Sequence, residues 1–193
     1  MPLLRYVKDN RHGAALKSVC RRSVNPFDDH SIRAKIMKRT GIEMIPIRTG
    51  TIVILEDNAA RVEAMRASLT KTVPESTPIV VTDSACTMIV WLKNHLADAV
   101  LISLDHDLPI RTDANPTDCG DGRMVADYLA QLPPTCPVIV HSSNDACAAG
   151  MFYALQSAGW PVSRVVPYDG EAWIGQAWAE QIQKYMRDRW LSP

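Results

Sequence analysis

From residue 51 onward, short apolar runs alternate with stretches of helical periodicity. TIVIL (51–55), PIVVT (78–82), AVLISLD (99–105), CPVIVHS (136–142) and SRVVPY (163–168) read as five strands. After the first, NAARVEAMRASLTK sets Val62, Met65 and Leu69 at helical spacing behind Asn58, a residue suited to an N-cap. SACTMIVWLKNHL, GRMVADYLAQL and DACAAGMFYALQSAG supply three more helices, the last closed by Gly159 at a C-cap. The fifth helix, EAWIGQAWAEQIQKYMRDRW, carries Ile174, Trp178, Ile182 and Tyr185 along one stripe. Its tryptophans, Trp173, Trp178 and Trp190, therefore belong to core or interface rather than to a base-stacking platform. Strands this continuously apolar suit burial on both sides. Their alternation with helices predicts an α/β fold, a doubly wound five-stranded parallel sheet.

Open sheets of this kind bind ligands beyond the carboxyl ends of their strands. The polar residues gather there. The first strand ends in Glu56-Asp57, the third in Asp105-His106-Asp107, and the fourth in His141-Ser142-Ser143-Asn144.

These tips resemble those of a response-regulator receiver domain, over roughly residues 51–190. Receivers carry an acidic pair after strand one, matched by Glu56-Asp57, and an acceptor aspartate in a D-x-x-L-P context after strand three. DHDLP supplies the latter, with Asp105 in the acceptor place; Ser142 matches a Ser or Thr after strand four, and Asp121-Gly122 a D-G pair after L-P. The resemblance implies a receiver- or flavodoxin-like (βα)5 fold and a metal set of Glu56, Asp57 and Asp105. Three departures stand out. Val166 precedes Pro167 where receivers place a Lys that holds the phosphoryl group. The loop that receivers keep short is enlarged, with Ile110 to Gly120 lying between Pro109 and Asp121, and His106 and His141 occupy commonly apolar positions. The LDHDL tip together with an HSxN-type tip is similar to the receiver-like family predicted to process cyclic phosphates. That resemblance implies a metal-dependent phosphoesterase acting on a cyclic phosphate, a nucleotide or an RNA end.

The chemistry of the residues is compatible with this. Converging carboxylates repel unless a cation neutralises them, and hard oxygen donors suit Mg²⁺ or Mn²⁺. Asp107, two residues from Asp105 on the same strand face, is a candidate fourth acid. By that alternation His106 points the opposite way, unless the strand has already ended. Imidazoles titrate near neutrality, so His106 and His141 are candidate acid and base beside Asp105, one activating water and the other protonating the leaving oxygen. Ser142 and Asn144 offer hydrogen bonds to phosphate, or else cap the following helix with Ser143 or Asp145. Arg111 and Arg123, near the two ends of the long loop, are candidate phosphate contacts or solvated surface residues.

Charge and composition add a second region. Residues 1–49 hold eleven Lys and Arg against four acids, a net of +7, while the remainder nets −7. Such asymmetry fits a basic, partly disordered or helical extension ahead of a receiver-like domain at 50–193, with nucleic acid as one partner for it. No aromatic interleaving or groove-reading motif strengthens that partner. The five cysteines are odd in number and form no CxxC pair, against a zinc knuckle or disulfide framework. No membrane-length apolar run or secretion signal is present, so a cytoplasmic location is the expectation. The oligomeric state is not legible.

Three other readings compete with the esterase. A phosphoacceptor or pseudo-receiver signalling module would use Asp105 as acceptor and leave both histidines unexplained. A protein-binding domain would use the Trp-rich last helix. The D-x-D at 105–107 also resembles haloacid-dehalogenase phosphatases, but there it follows the first core strand, and no matching Lys or acidic pair lies downstream.

Overall fold

The computed structural model describes residues 50–108, 120–168 and 170–191, the last four by their backbone alone. The basic segment 1–49 and the enlarged loop with Arg111 lie outside these residues. Five strands are present, β1 (Thr51–Leu55), β2 (Ile79–Thr82), β3 (Ala99–Leu104), β4 (Val138–His141) and β5 (Val162–Val165). They alternate with α1 (Ala59–Thr72), α2 (Ala85–His95), α3 (Gly122–Leu129), α4 (Asp145–Ser157) and α5 (Ala179–Leu191). A turn of π-helix, Ile174–Trp178, leads directly into α5. All strand pairs are parallel, in the order β2-β1-β3-β4-β5. The doubly wound sheet expected from the sequence is therefore the fold.

Element ends differ from the apolar runs where proline intervenes. β4 starts after Pro137 and β5 stops before Val166-Pro167, because proline cannot donate to a ladder and biases the residue before it. Gly159 does close α4: its φ is 84°, and its N–H donates to Gln156 O while that of Trp160 donates to Leu155 O.

Strand alternation splits the core in two. Val53, Leu55, Ile102, Leu104, Val138 and Val140 meet α2, α3 and α4 on one side. Ile52, Ile54, Leu101 and Ile139 meet α1, Trp173, Trp178 and α5 on the other. A register shift beside Thr51 and Ile52 skips Val100, so Val100 and Leu101 enter the same core. With helices on both sides, β3 is buried along its whole length. Its ionisable groups therefore lie at its end, beside those of β1 and β4.

Candidate functional site at the strand tips

Glu56, Asp57 and Asp105 converge at the ends of β1 and β3, with one oxygen from each lying within 4.8 Å of the others. Glu56 and Asp105 are buried while Asp57 is exposed. Backbone geometry fixes the two buried acids. The Asn58 N–H donates to Glu56 Oε1 at 3.0 Å, and the His106 N–H donates to Asp105 Oδ1 at 2.7 Å. Asn58 also caps α1, accepting from the Ala60 and Arg61 N–H groups, and so sets Arg61 on the first helical turn. From there Arg61 Nη1 reaches Asp105 Oδ2 at 3.4 Å and Glu56 Oε1 at 3.6 Å.

β3 has ended by Asp105, which frees His106 from strand alternation. Its ring lies at the rim, with Nδ1 2.7 Å from Asp107 Oδ1 and Nε2 3.3 Å from Asp121 Oδ2. Asp107 Oδ1 also accepts from Asn144 Nδ2 at 3.4 Å. Asp107 is exposed and belongs to this rim rather than to the three-acid cluster. Gly122 makes the rim possible. Its N–H donates to His106 O at 3.1 Å, and a Cβ there would stand 1.9 Å from Asp105 O.

His141 lies on the opposite side of the acids. It is wholly buried, with Nδ1 2.9 Å from Ser103 Oγ and Nε2 3.3 Å from Glu56 Oε2. The second approach is within ion-pair distance but lacks hydrogen-bond alignment, and neither atom has another hydrogen-bond partner among the described residues. Trp178 Nε1 donates to the same Ser103 Oγ at 2.9 Å, and the Trp173 ring stacks on His141 at 5.7 Å between centroids.

The environment separates the carboxyls. Burial pushes Asp105 up to about 6, with Glu56 adding to the shift and His141 and Arg61 opposing it. Burial also acts upward on Glu56, but the nearby His141 ring, the Asn58 N–H and Arg61 outweigh it and hold Glu56 below its ordinary range. Asp57 is raised, first by burial and then by Glu56 and Asp83. Asp107 is lowered, chiefly by its hydrogen bond with His106.

The remaining predicted residues are placed as follows. Ser142 Oγ accepts the Asn144 N–H at 3.1 Å, and Asn144 Oδ1 caps α4 through the Cys147 N–H at 3.3 Å. Arg123 Nε donates to Asp127 at 2.6 Å, and its guanidinium lies against Gly150 of α4. Arg61, Ser103 and Trp178 join the site without a motif that singles them out, and Asp121, matched in the sequence only as half of a D-G pair, is a partner of His106. Ser103 left a usable signal, a lone hydroxyl inside the apolar run AVLISL. Arg61 left a weaker one, a cation three residues past the N-cap of the helix that follows the acidic pair.

Comparison with known proteins agrees with this architecture. The chain is similar to the phosphorylated cyanobacterial phytochrome response regulator RcpA (17% identity, TM-score 0.52, covering 75% of this chain and 95% of that one). It is also similar to a response regulator receiver domain from Rhodospirillum rubrum (16%, 0.52, 70% and 92%). The response regulatory domain of mrkE from Klebsiella pneumoniae gives 12% identity, a TM-score of 0.52 and coverages of 72% and 97%. At such identities these likenesses establish the fold. No curated protein matches the sequence. Among the described residues, no helix is long and apolar enough to cross a membrane. The family model for the cyclic-phosphate processing receiver domain matches residues 51–157, more than half of the chain, and the chain belongs to that family.

Proposed function

We propose that this protein is a receiver-type signalling module, residues 50–193, that takes a phosphoryl group on Asp105 beside a divalent cation, with residues 1–49 as a separate basic extension. The observation that carries the reading is the convergence of Glu56, Asp57 and Asp105, two of them buried, at the tips of two core strands. Three carboxylate oxygens in that space fit Mg²⁺ or Mn²⁺, and these three residues would hold it. Such an ion would offset the repulsion among the acids and would polarise phosphoryl oxygens. Asp105 Oδ1 accepts the His106 N–H at 2.7 Å, and Oδ2, only loosely engaged by Arg61 Nη1 at 3.4 Å, is the nucleophile in this reading. Oδ2 forms a bond to phosphorus as the bond from phosphorus to the leaving oxygen of an acyl phosphate breaks, and the leaving carboxylate takes the electron pair. Arg61, already at Oδ2, then pairs with the phosphoryl oxygens. It supplies, from α1, a cation that Val166 does not.

A second reading, hydrolysis of a cyclic phosphate on a small molecule or an RNA end, draws on His106. That imidazole sits at the rim between Asp107 and Asp121, close to Asn144, and is placed to exchange a proton with a ligand above the acids. His141 lies beneath Glu56, and in either reading it supports that carboxylate from below.

One experiment separates the two. The purified protein is incubated with Mg²⁺ and acetyl phosphate, and in parallel with a panel of cyclic nucleotides and an RNA bearing a cyclic phosphate end. The first reading expects one phosphoryl group in the intact mass, absent from Asp105→Asn. Failure to label, with cyclic-phosphate turnover that His106→Ala abolishes, would replace it with the second.

A further inference from the structure

Glu56 Oε2 and His141 Nε2, 3.3 Å apart, are both buried without a hydrogen-bond partner among the described residues, and the Trp173 ring, whose Nε1 is likewise buried and unpartnered, stacks on His141. They border a polar chain that crosses the α1/α5 core. Trp178 Nε1 can only donate, and Ser103 Oγ accepts from it at 2.9 Å. The serine proton is then available to His141 Nδ1, also at 2.9 Å. A ring that accepts at Nδ1 carries its hydrogen on Nε2, and that nitrogen faces Glu56 Oε2 at 3.3 Å. In this arrangement every donor in the chain points toward the acidic floor. A run of four polar groups in an otherwise apolar core is costly unless all are satisfied, so a displacement at one end is felt at the other.

We propose that Trp178, Ser103 and His141 position the inner oxygen of Glu56, and that they couple occupancy of the acidic floor by a divalent cation to the packing of the Trp173–Met186 segment. The proposal rests on the reading of Glu56, Asp57 and Asp105 as a cation site. The route is short. Trp178 closes the π-helical turn that enters α5, and Trp173, stacked on His141, lies just before that turn. A cation held by Glu56 would alter the 3.3 Å approach of Oε2 to His141 Nε2, and the Ser103 and Trp178 contacts would pass that change to the indole. Because coupling between two sites is reciprocal, the state of the indole must also alter cation affinity.

The test uses the full chain and Mg²⁺ alone. Isothermal titration calorimetry compares the parent protein with Trp178→Phe, Ser103→Ala and Ile182→Val. Ile182 is buried nearby in the same core and takes no part in the chain. Trp178→Phe and Ser103→Ala are expected to weaken Mg²⁺ binding about fivefold or more, and Ile182→Val to leave it unchanged. Amide hydrogen exchange on the parent protein supplies a readout that needs no variant: Mg²⁺ is expected to change protection within residues 173–186. Unchanged affinity in both polar variants, an equal shift in Ile182→Val, or unchanged exchange in the parent would each overturn the coupling. A parent protein that binds no Mg²⁺ would overturn the cation site itself, and this proposal with it.

Discussion

His106 and His141 stand at the tips of neighbouring strands, each with a carboxylate oxygen within 3.3 Å, yet they occupy opposite sides of one acidic floor. His106 follows the end of β3, and its partners Asp107 and Asp121 are both partly open to solvent. His141 is the last residue of β4, so strand alternation still governs it and turns it into the α1/α5 core. Whether a residue lies within a strand or two positions beyond its end decides whether its imidazole is turned into the core or left at the rim. The same comparison explains the carboxyls. Asp107, at the rim, is lowered by a hydrogen bond, while Asp105, on the floor, is raised by burial.

The largest effect should come from the residue that joins rim to floor. In Gly122→Ala the new methyl would meet Asp105 O at 1.9 Å and crowd His106 Cα at 3.0 Å. Both are backbone atoms, so the strand tip must shift. We expect a loss of about 3 kcal/mol in urea denaturation, and on the proposed reading a loss of Mg²⁺ binding with it. A variant as stable as the parent would mean that the tip moves freely and that rim and floor are not fixed against each other. Next is the floor itself. His141→Ala leaves a cavity, removes one of the two partners of Ser103 and exposes a buried carboxylate to an apolar pocket, at a cost of about 3 kcal/mol. A loss below about 1 kcal/mol would show His141 to be loosely held, and the contrast between the two histidines would collapse.

Asp105 gives a smaller change with a distinctive pH dependence. Its carboxyl is raised to about 6 from 3.8, so in the absence of metal the folded state binds its proton more tightly than the unfolded chain does. That preference favours folding in acid and is lost as pH rises from about 4 to about 6, leaving an ionised, buried aspartate that destabilises the protein above that range. Asp105→Asn removes this penalty, and Asn Oδ1 can still accept the His106 N–H. In chelator at neutral pH we expect the variant to be more stable than the parent by about 2 kcal/mol, with the difference vanishing near pH 4. Equal stability at both pH values would show that Arg61 and His141 fully compensate the buried charge.

How much of this was legible in the sequence follows from the physics of each feature. The sheet was legible because TIVIL, PIVVT and AVLISL carry the apolar continuity that double burial demands, and Asn58 and Gly159 mark helix ends by local chemistry. The three acids were legible because strand ends are where this fold brings polar side chains together. The direction of His106 was not, since it depends on whether β3 ends at Leu104 or one residue later, a difference the run LISLDHDL does not encode. The partners of His141 were hidden for another reason. Ser103, which contacts His141, and Trp178, which donates to Ser103, are 75 residues apart and meet only because the π-helical turn entering α5 packs across β3. Long-range contacts of this kind leave no spacing rule in the chain.

The smallest expected effect tests whether rim and floor are separate. His106→Ala removes partners from Asp107 and Asp121, whose side chains are 56% and 47% exposed, and exposed pairs contribute less than about 1 kcal/mol. Its pH dependence has the opposite sign to that of Asp105. Because His106 lowers the Asp107 carboxyl, the stabilisation is present above the ordinary aspartate range and disappears as Asp107 takes up its proton in acid. His106 and His141 share no partner: one contacts Asp107 and Asp121, the other Ser103 and Glu56. The stability losses of His106→Ala and His141→Ala should therefore add in the double variant to within about 0.5 kcal/mol. A larger interaction, measured by the same urea titrations, would mean that the Asp105–His106 peptide transmits strain across the acids. The two histidines would then belong to one unit, despite facing opposite sides of it.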